Sequence, residues 1–219
     1  MTKINSKYEA IILAAGKSSR MGKWKPAILI NAIPMIYYSI DLFRNICDKI
    51  IIVGGYNYPE LTMLVNEYRQ NNNCTADIVT IENTQYEEGM LSSIIKGIHL
   101  LSDDCNMFFV MPGDMPLVKT DTCKMLLSEN VLSPEMEVYI PSVDIKDGSI
   151  VRAKKGHPVL FSIKAKNAIT ELRNENTLRD AIKKLKVKIC NVDDKGITLD
   201  IDIQSDLEII TSTNKKVAV

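Results

Sequence analysis

From position 14 to 25 the chain reads Ala-Ala-Gly-Lys-Ser-Ser-Arg-Met-Gly-Lys-Trp-Lys, a run in which glycine, hydroxyl and cation coincide. Gly16 and Gly22 lack a Cβ and let backbone amides turn toward a ligand, while Ser18 and Ser19 add hydroxyl donors and Lys17, Arg20, Lys23 and Lys25 add positive charge. Such groups suit the oxygens of a polyphosphate. A solvated basic loop is the bland alternative. Position argues against it: an apolar run stops at Ala14 and the next helical pattern starts only after Pro34, so the loop joins a strand to a helix at the edge where open α/β sheets bind ligands. Spacing removes two familiar phosphate loops. Five residues separate Gly16 from Gly22, and Trp24 stands where a P-loop needs its magnesium-binding hydroxyl. The Gly-x-Gly-x-x-Gly fingerprint of a nicotinamide dehydrogenase is absent as well.

Four further stretches carry groups with chemistry. Met-Pro-Gly-Asp-Met-Pro-Leu at 111–117 sets the Asp114 carboxylate in a tight turn, where it is either a hard oxygen ligand for magnesium or a turn-stabilising residue. Leu-Asp-Ile-Asp at 199–202 alternates like an extended segment and so presents Asp200 and Asp202 on one side; the alternative is a helix N-cap region. Asn83, Gly89, Ser92 and Ser93 supply amide, backbone and hydroxyl groups for a ribose or base, or else the serines only cap a helix. Arg152, Lys154, Lys155, Gly156, His157 and Pro158 place cations and an imidazole together, as an anion site or a solvated basic loop. His99 falls on a helical pattern and reads as structural.

These groups need a frame. Short apolar, β-branched runs at 10–14, 49–53, 77–81, 107–111 and 138–140 alternate with helical patterns at 35–44, 60–70, 91–101 and 120–129, the rhythm of a mostly parallel sheet covered on both faces. After Pro141 a polar, glycine-containing stretch reads as a small inserted cap over 142–187 that includes a strand at 158–161. The chain then returns to the sheet at 188–192, forms a short strand at 199–201 and ends in a helix from about Ser205. A single domain over 1–219 is expected.

Composition narrows the partners. With 27 basic and 27 acidic residues the chain has no net field to gather nucleic acid or an anionic membrane. Five cysteines without a Cys-x-x-Cys pair argue against a disulfide framework or a zinc site. No apolar run approaches the roughly 20 residues that span a bilayer, and no secretion signal is visible, so a cytoplasmic protein is expected.

The stretch from Leu13 to Lys25 resembles the signature of nucleotidyltransferases with a glycosyltransferase-A-like fold, and most of all the molybdenum-cofactor nucleotidyltransferases. The resemblance implies a three-layer α/β/α sandwich with a mostly parallel, Rossmann-like sheet of the nucleotide-diphospho-sugar transferase type. It implies that Arg20 and Lys25 grip phosphates and act in catalysis with Asp114, and that Leu13, Ala14, Ala15, Gly16, Lys17, Ser18 and Gly22 line the nucleotide. Magnesium would sit on Asp114 and Asp202, with Asp200 the less favoured ligand. Cytidylyltransferases of this group tend to carry Ala-Ala-Gly where guanylyltransferases carry Ala-Gly-Gly, so Ala15 leans toward CTP. The acceptor would meet Arg152, Lys155, Gly156, His157, Pro158 and Arg179. It would be a small phosphate monoester such as molybdopterin cofactor, and the product implies a molybdoenzyme or chaperone partner. Departures exist: Met115 replaces a glutamine, Ile203, Gln204 and Ser205 replace three residues of an Asp-Ile-Asp-Thr-Pro-Glu-Asp-Leu stretch, and the glycines usual before Arg179 are missing. A sugar-phosphate or methylerythritol-phosphate nucleotidyltransferase and a noncatalytic nucleotide-binding or cofactor-chaperone protein are the competing readings.

Overall fold

The computed structural model describes residues 6–18, 21–148, 150–172, 176–203 and 205–207. The main sheet runs β5 (Asp77–Glu82), β4 (Lys49–Gly54), β1 (Lys7–Ala14), β6 (Cys105–Pro112), β9 (Val159–Ser162), β7 (Val138–Asp147) and β10 (Val187–Asn191), with β8 (Ile150–Lys155) paired to β7. Pairing is parallel for β1 with β4 and β6, β4 with β5, and β10 with β7; β9 is antiparallel to both its neighbours. A two-stranded hairpin, β2 (Leu29–Ile30) and β3 (Ile33–Pro34), leads into α1 (Met35–Phe43).

Two-residue periodicity sends alternate side chains to opposite faces. On one face Ala10, Ile12, Ile50, Ile52, Phe109 and Met111 pack under α1, α2 (Tyr58–Asn71) and α4 (Thr120–Leu132). On the other, Ile11, Ile51, Val53, Phe108 and Val110 pack under α3 (Met90–Ile98), α5 (Lys166–Thr170) and α6 (Leu178–Ile182). Burial on both faces explains why the central strands read as continuous apolar runs, and each fully buried isoleucine contributes about 1.5–3 kcal/mol. Gly97 inside α3 is explained by approach: a Cβ there would lie 2.5 Å from Ile11, so glycine lets the helix sit close on β1.

The expected three layers, the five strands and the four helices are present. The segment after Pro141 differs from its sequence pattern. Residues 142–147 extend β7, and β8 folds back on it as a hairpin whose second strand is exposed along its length. Return to the sheet comes earlier than expected, because β9 wedges between β6 and β7 and Ala165, Ile169 and Ala181 join the core. The strand expected at 199–201 does not form; a 3-10 turn, Lys195–Thr198, is followed by irregular chain, and helical backbone is seen at 205–207.

Asp194, 2% exposed, ties that last crossing to α4. One of its carboxylate oxygens accepts from Lys119 N at 2.8 Å and Thr122 Oγ1 at 2.7 Å, and the other from Gly196 N at 2.9 Å. No residue at the α4 N-terminus supplies such a cap itself. Replacing this side chain strands buried donors, each costing roughly 1–3 kcal/mol. Asp194→Ala is therefore expected to lose about 3 kcal/mol, seen in urea as a lower midpoint at unchanged slope.

Candidate active site

Three crossings of the chain meet at the carboxyl edge. β1 ends at Ala14, and its loop is anchored at once: Tyr56 N donates to Ala15 O at 3.0 Å, and Gly113 N donates to Leu13 O at 2.8 Å. Ser18 adopts a left-handed conformation (φ 56°), and its Oγ accepts from Lys25 N at 3.0 Å, which folds the loop back on itself. Gly22 at φ 62° completes the turn in a conformation that suits glycine. Gly16 serves differently: a Cβ there would meet nothing within 4 Å, so its smallness leaves open space beside the backbone.

Lys25 then points its ammonium between two carboxylates, at 2.8 Å from Asp114 Oδ2 and 2.6 Å from Asp202 Oδ1. Asp114 follows β6, the neighbour of β1, so adjacency in the sheet brings these two loops together. Asp202 arrives by another route. Ile201 N donates to Asp114 O at 3.0 Å, and the Ile201 side chain is buried with Ile30, Met35 and Leu207 in a small satellite core. Asp200 is exposed and makes no described contact with Lys25, so Asp202 is the carboxylate that joins the cluster.

Burial lowers the Lys25 pKa, but hydrogen bonds and charge from Asp114 and Asp202 outweigh it and hold the amine above the ordinary lysine value. It is cationic at neutral pH. Asp114 Oδ1 is buried without a hydrogen-bond partner, an expensive state for a carboxylate oxygen. An orphaned oxygen beside a second carboxylate fits a hard divalent cation. Among the described residues no three or more His, Cys, Asp or Glu side chains form a metal cage. Two protein carboxylates completed by phosphate oxygens and water is the usual arrangement for magnesium.

An open cleft lies alongside, lined by Leu13, Ala14, Gly16, Ser18, Lys25, Pro26, Gly113 and Asp114. Other site expectations land less directly. Arg20 and Ser19 lie outside the described residues. Lys17 pairs with Glu87 and lies 5.8 Å from the Tyr86 ring centroid, facing the connection from β5 to α3. Asn83 is buried and spends its amide on Ser92 Oγ (2.8 Å) and Ser93 Oγ (3.0 Å) and its oxygen on Gln85 N (3.1 Å), so these three side chains brace the turn before α3. Gly89, at φ 109°, is the N-cap of α3. Met115 turns into the core, which suits an apolar side chain at this position.

In the 152–158 stretch, Arg152 and Lys155 are exposed on β8, and Lys154 donates to Thr198 O at 3.4 Å. Gly156 has no room for a Cβ, which would lie 2.0 Å from Ile197 O. His157 feels the charge of the cluster without a described contact to it. Burial pushes its pKa down, opposed by a hydrogen bond to the Val110 backbone and by the charges of Asp114 and Asp200, and its Nδ1 is buried without a partner. Pro158 is buried, and Arg179 is exposed on α6, which packs against α5. Sequence reading missed Asp194 and Asp206: their role is to accept backbone N–H groups from chain brought near by folding, and no motif marks that.

A MobA-like NTP transferase domain matches residues 10–189. The chain belongs to this family. It is a nucleotidyltransferase. It is 28% identical over 205 residues to the molybdenum cofactor cytidylyltransferase of Escherichia coli, covering 92% of this chain and 94% of that protein. The fold is that of the 4-diphosphocytidyl-2C-methyl-D-erythritol synthase of Anaerococcus prevotii (TM-score 0.76, 15% identity, 96% of this chain and 99% of that one). It is also that of the Rv0371C complex with manganese from Mycobacterium tuberculosis (TM-score 0.71, 18% identity, 95% and 100% covered). Among the described residues no helix is long and apolar enough to cross a membrane.

Removing Lys25 would leave two carboxylates facing each other and take a cation from the carboxyl edge of the sheet. Lys25→Ala is expected to slow pyrophosphate release by roughly a hundredfold or more, with the far-ultraviolet circular dichroism spectrum unchanged.

Proposed function

We propose that the protein is a molybdenum cofactor cytidylyltransferase, transferring CMP from CTP to the phosphate monoester of molybdopterin cofactor. The observation that carries the reading is the Lys25 bridge between Asp114 and Asp202 beside the open backbone of Gly16. An oxygen of the acceptor phosphate attacks the α-phosphorus of CTP in line; the bond from that phosphorus to the bridging oxygen breaks, and pyrophosphate leaves. No covalent enzyme intermediate is needed. Lys25 and Arg20 offset charge on the phosphates, and the loop from Leu13 to Gly22 orients base and triphosphate. Asp114 and Asp202 would hold a divalent cation, magnesium by preference, which would supply positive charge to stabilise the phosphates. Rate enhancement then comes from positioning and fixed charge.

The segment holding Arg152, Lys155, Gly156, His157 and Pro158, with Arg179 further off, takes the acceptor. Within that set, His157 supports the reading because it feels the charge of Asp114. A second reading, a methylerythritol-phosphate cytidylyltransferase, is favoured by the likeness of fold to the Anaerococcus enzyme and shares all the chemistry except the acceptor. A noncatalytic nucleotide-binding protein would use the same cleft without turnover.

Pyrophosphate release measured for CTP, GTP, ATP and UTP, each with molybdopterin cofactor, methylerythritol phosphate and sugar phosphates, separates these readings. Turnover is expected with CTP and molybdopterin cofactor. Turnover with methylerythritol phosphate alone would replace the acceptor, and metal-independent nucleotide binding without turnover would replace the enzyme. Ala15, 7% exposed, keeps its methyl group in packed surroundings beside the cleft. Because one methyl group is worth roughly 10–200-fold in discrimination, Ala15→Gly is expected to raise the GTP-to-CTP ratio of kcat/KM about tenfold.

A further inference from the structure

We infer that Asp206 is a positioning residue for the metal-assisted site, holding Asp202 in the pose that lets it share a cation with Asp114. The inference rests on the reading of Asp114 and Asp202 given above. Asp202 lies on irregular chain, where a side chain has no ladder to fix it. Three successive amides nevertheless have partners. Ile201 N donates to Asp114 O at 3.0 Å, while Asp202 N and Ile203 N both donate to Asp206 Oδ2, at 2.8 and 2.9 Å.

An ordinary capping box asks for one such bond, from the residue that starts the helix to the side chain three positions on. The Ile203 bond meets that need, since Asp206 N also returns to Ile203 O at 3.0 Å. The bond from Asp202 N exceeds it and falls on the residue that carries the second carboxylate. On one side Ile201 is buried beside Ile30 and Met35; on the other Leu207 enters the same satellite core. Met21 and Ile28, from the loop that bears Lys25, pack against that core too. Asp206 therefore links the backbone of Asp202 to the hydrophobic anchor shared with the Lys25 loop, so the Asp202 carboxylate has only its side-chain torsions left to adjust.

Outer partners of metal ligands typically matter 10–100-fold in metal affinity, and a neutral acceptor makes a hydrogen bond about half as strong as a charged one. The test titrates Mn²⁺ into the full chain with CTP present and follows free Mn²⁺ by electron paramagnetic resonance. Asp206→Ala is expected to weaken Mn²⁺ binding by at least about tenfold, and Asp206→Asn, which keeps an oxygen for the same amides, by a few-fold. Asp180→Ala is the matched control: Asp180 Oδ2 closes the capping box of α6 with Thr177, apart from the cleft, and its loss is expected to lower Tm while leaving Mn²⁺ affinity at the wild-type value. A role limited to capping predicts the same behaviour for position 206, a lower Tm at unchanged Mn²⁺ affinity in both variants, and that result overturns the inference while leaving the site intact. Should the alanine variant fail to fold, the asparagine variant decides by the same measurement. Absence of Mn²⁺ binding by the wild-type chain would overturn the metal reading itself, and this inference with it.

Discussion

The arrangement depends on one half-buried cation shared by two carboxylates from distant parts of the chain. Lys25 lies 89 positions from Asp114 and 177 from Asp202, yet its Nζ touches both. Ions withdrawn from water are tolerated only when paired with good geometry, so the three loops cannot drift apart independently. With one positive and two negative charges, the cluster keeps a formal charge of −1 from its three members and one carboxylate oxygen without a partner. A site of that character suits an added cation, and the phosphates of a nucleotide are the natural companions of one.

Sheet topology follows from the need to deliver loops to one edge. β1 and β6 are adjacent and parallel, so the loops after them leave side by side, and the bond from Gly113 N to Leu13 O fixes their relative height. The antiparallel β9 meets a complementary need. Val159 pairs with Val110 near the carboxyl end of β6, so chain entering β9 must first pass that edge, carrying Gly156, His157 and Pro158 with it. A parallel strand would have begun at the opposite edge. The one reversal in an otherwise parallel core thus places the proposed acceptor segment next to the nucleotide cleft.

Much of this was legible in the residues. Apolar runs of β-branched side chains marked the doubly buried strands, and the glycines, serines and cations after Ala14 marked the loop that leaves β1 at the carboxyl edge, because those features depend on local composition. What was missed depends on partners far away. β8 shows no alternation, since its side chains are exposed on both faces, and the run into β9 looked like part of an insertion because its place between β6 and β7 is a tertiary fact. Leu-Asp-Ile-Asp at 199–202 alternates as a strand would, yet its Ile201 amide finds a single carbonyl, that of Asp114, and the segment remains irregular. Asp194 and Asp206 carry no sequence mark because their hydrogen bonds serve backbone whose position the fold decides.

A division of labour follows between the rigid and exposed parts of the molecule. Lys25, Asp114 and Asp202 are fixed by the sheet edge and by the satellite core of Ile30, Met35, Ile201 and Leu207. Arg152 and Lys155 stand on a strand whose ladder runs only to the outer half of β7. The seam between these parts joins backbone and side chain: His157 N donates to Ile197 O at 2.9 Å, Lys154 Nζ donates to Thr198 O at 3.4 Å, and Gly156 lies so close to Ile197 that no Cβ fits. The exposed side chains of Arg152 and Lys155 can change without disturbing the charge cluster, while a residue with a Cβ at position 156 would disturb both parts together. On the function proposed above, that separation lets the hairpin vary with the acceptor while the charge cluster stays the same.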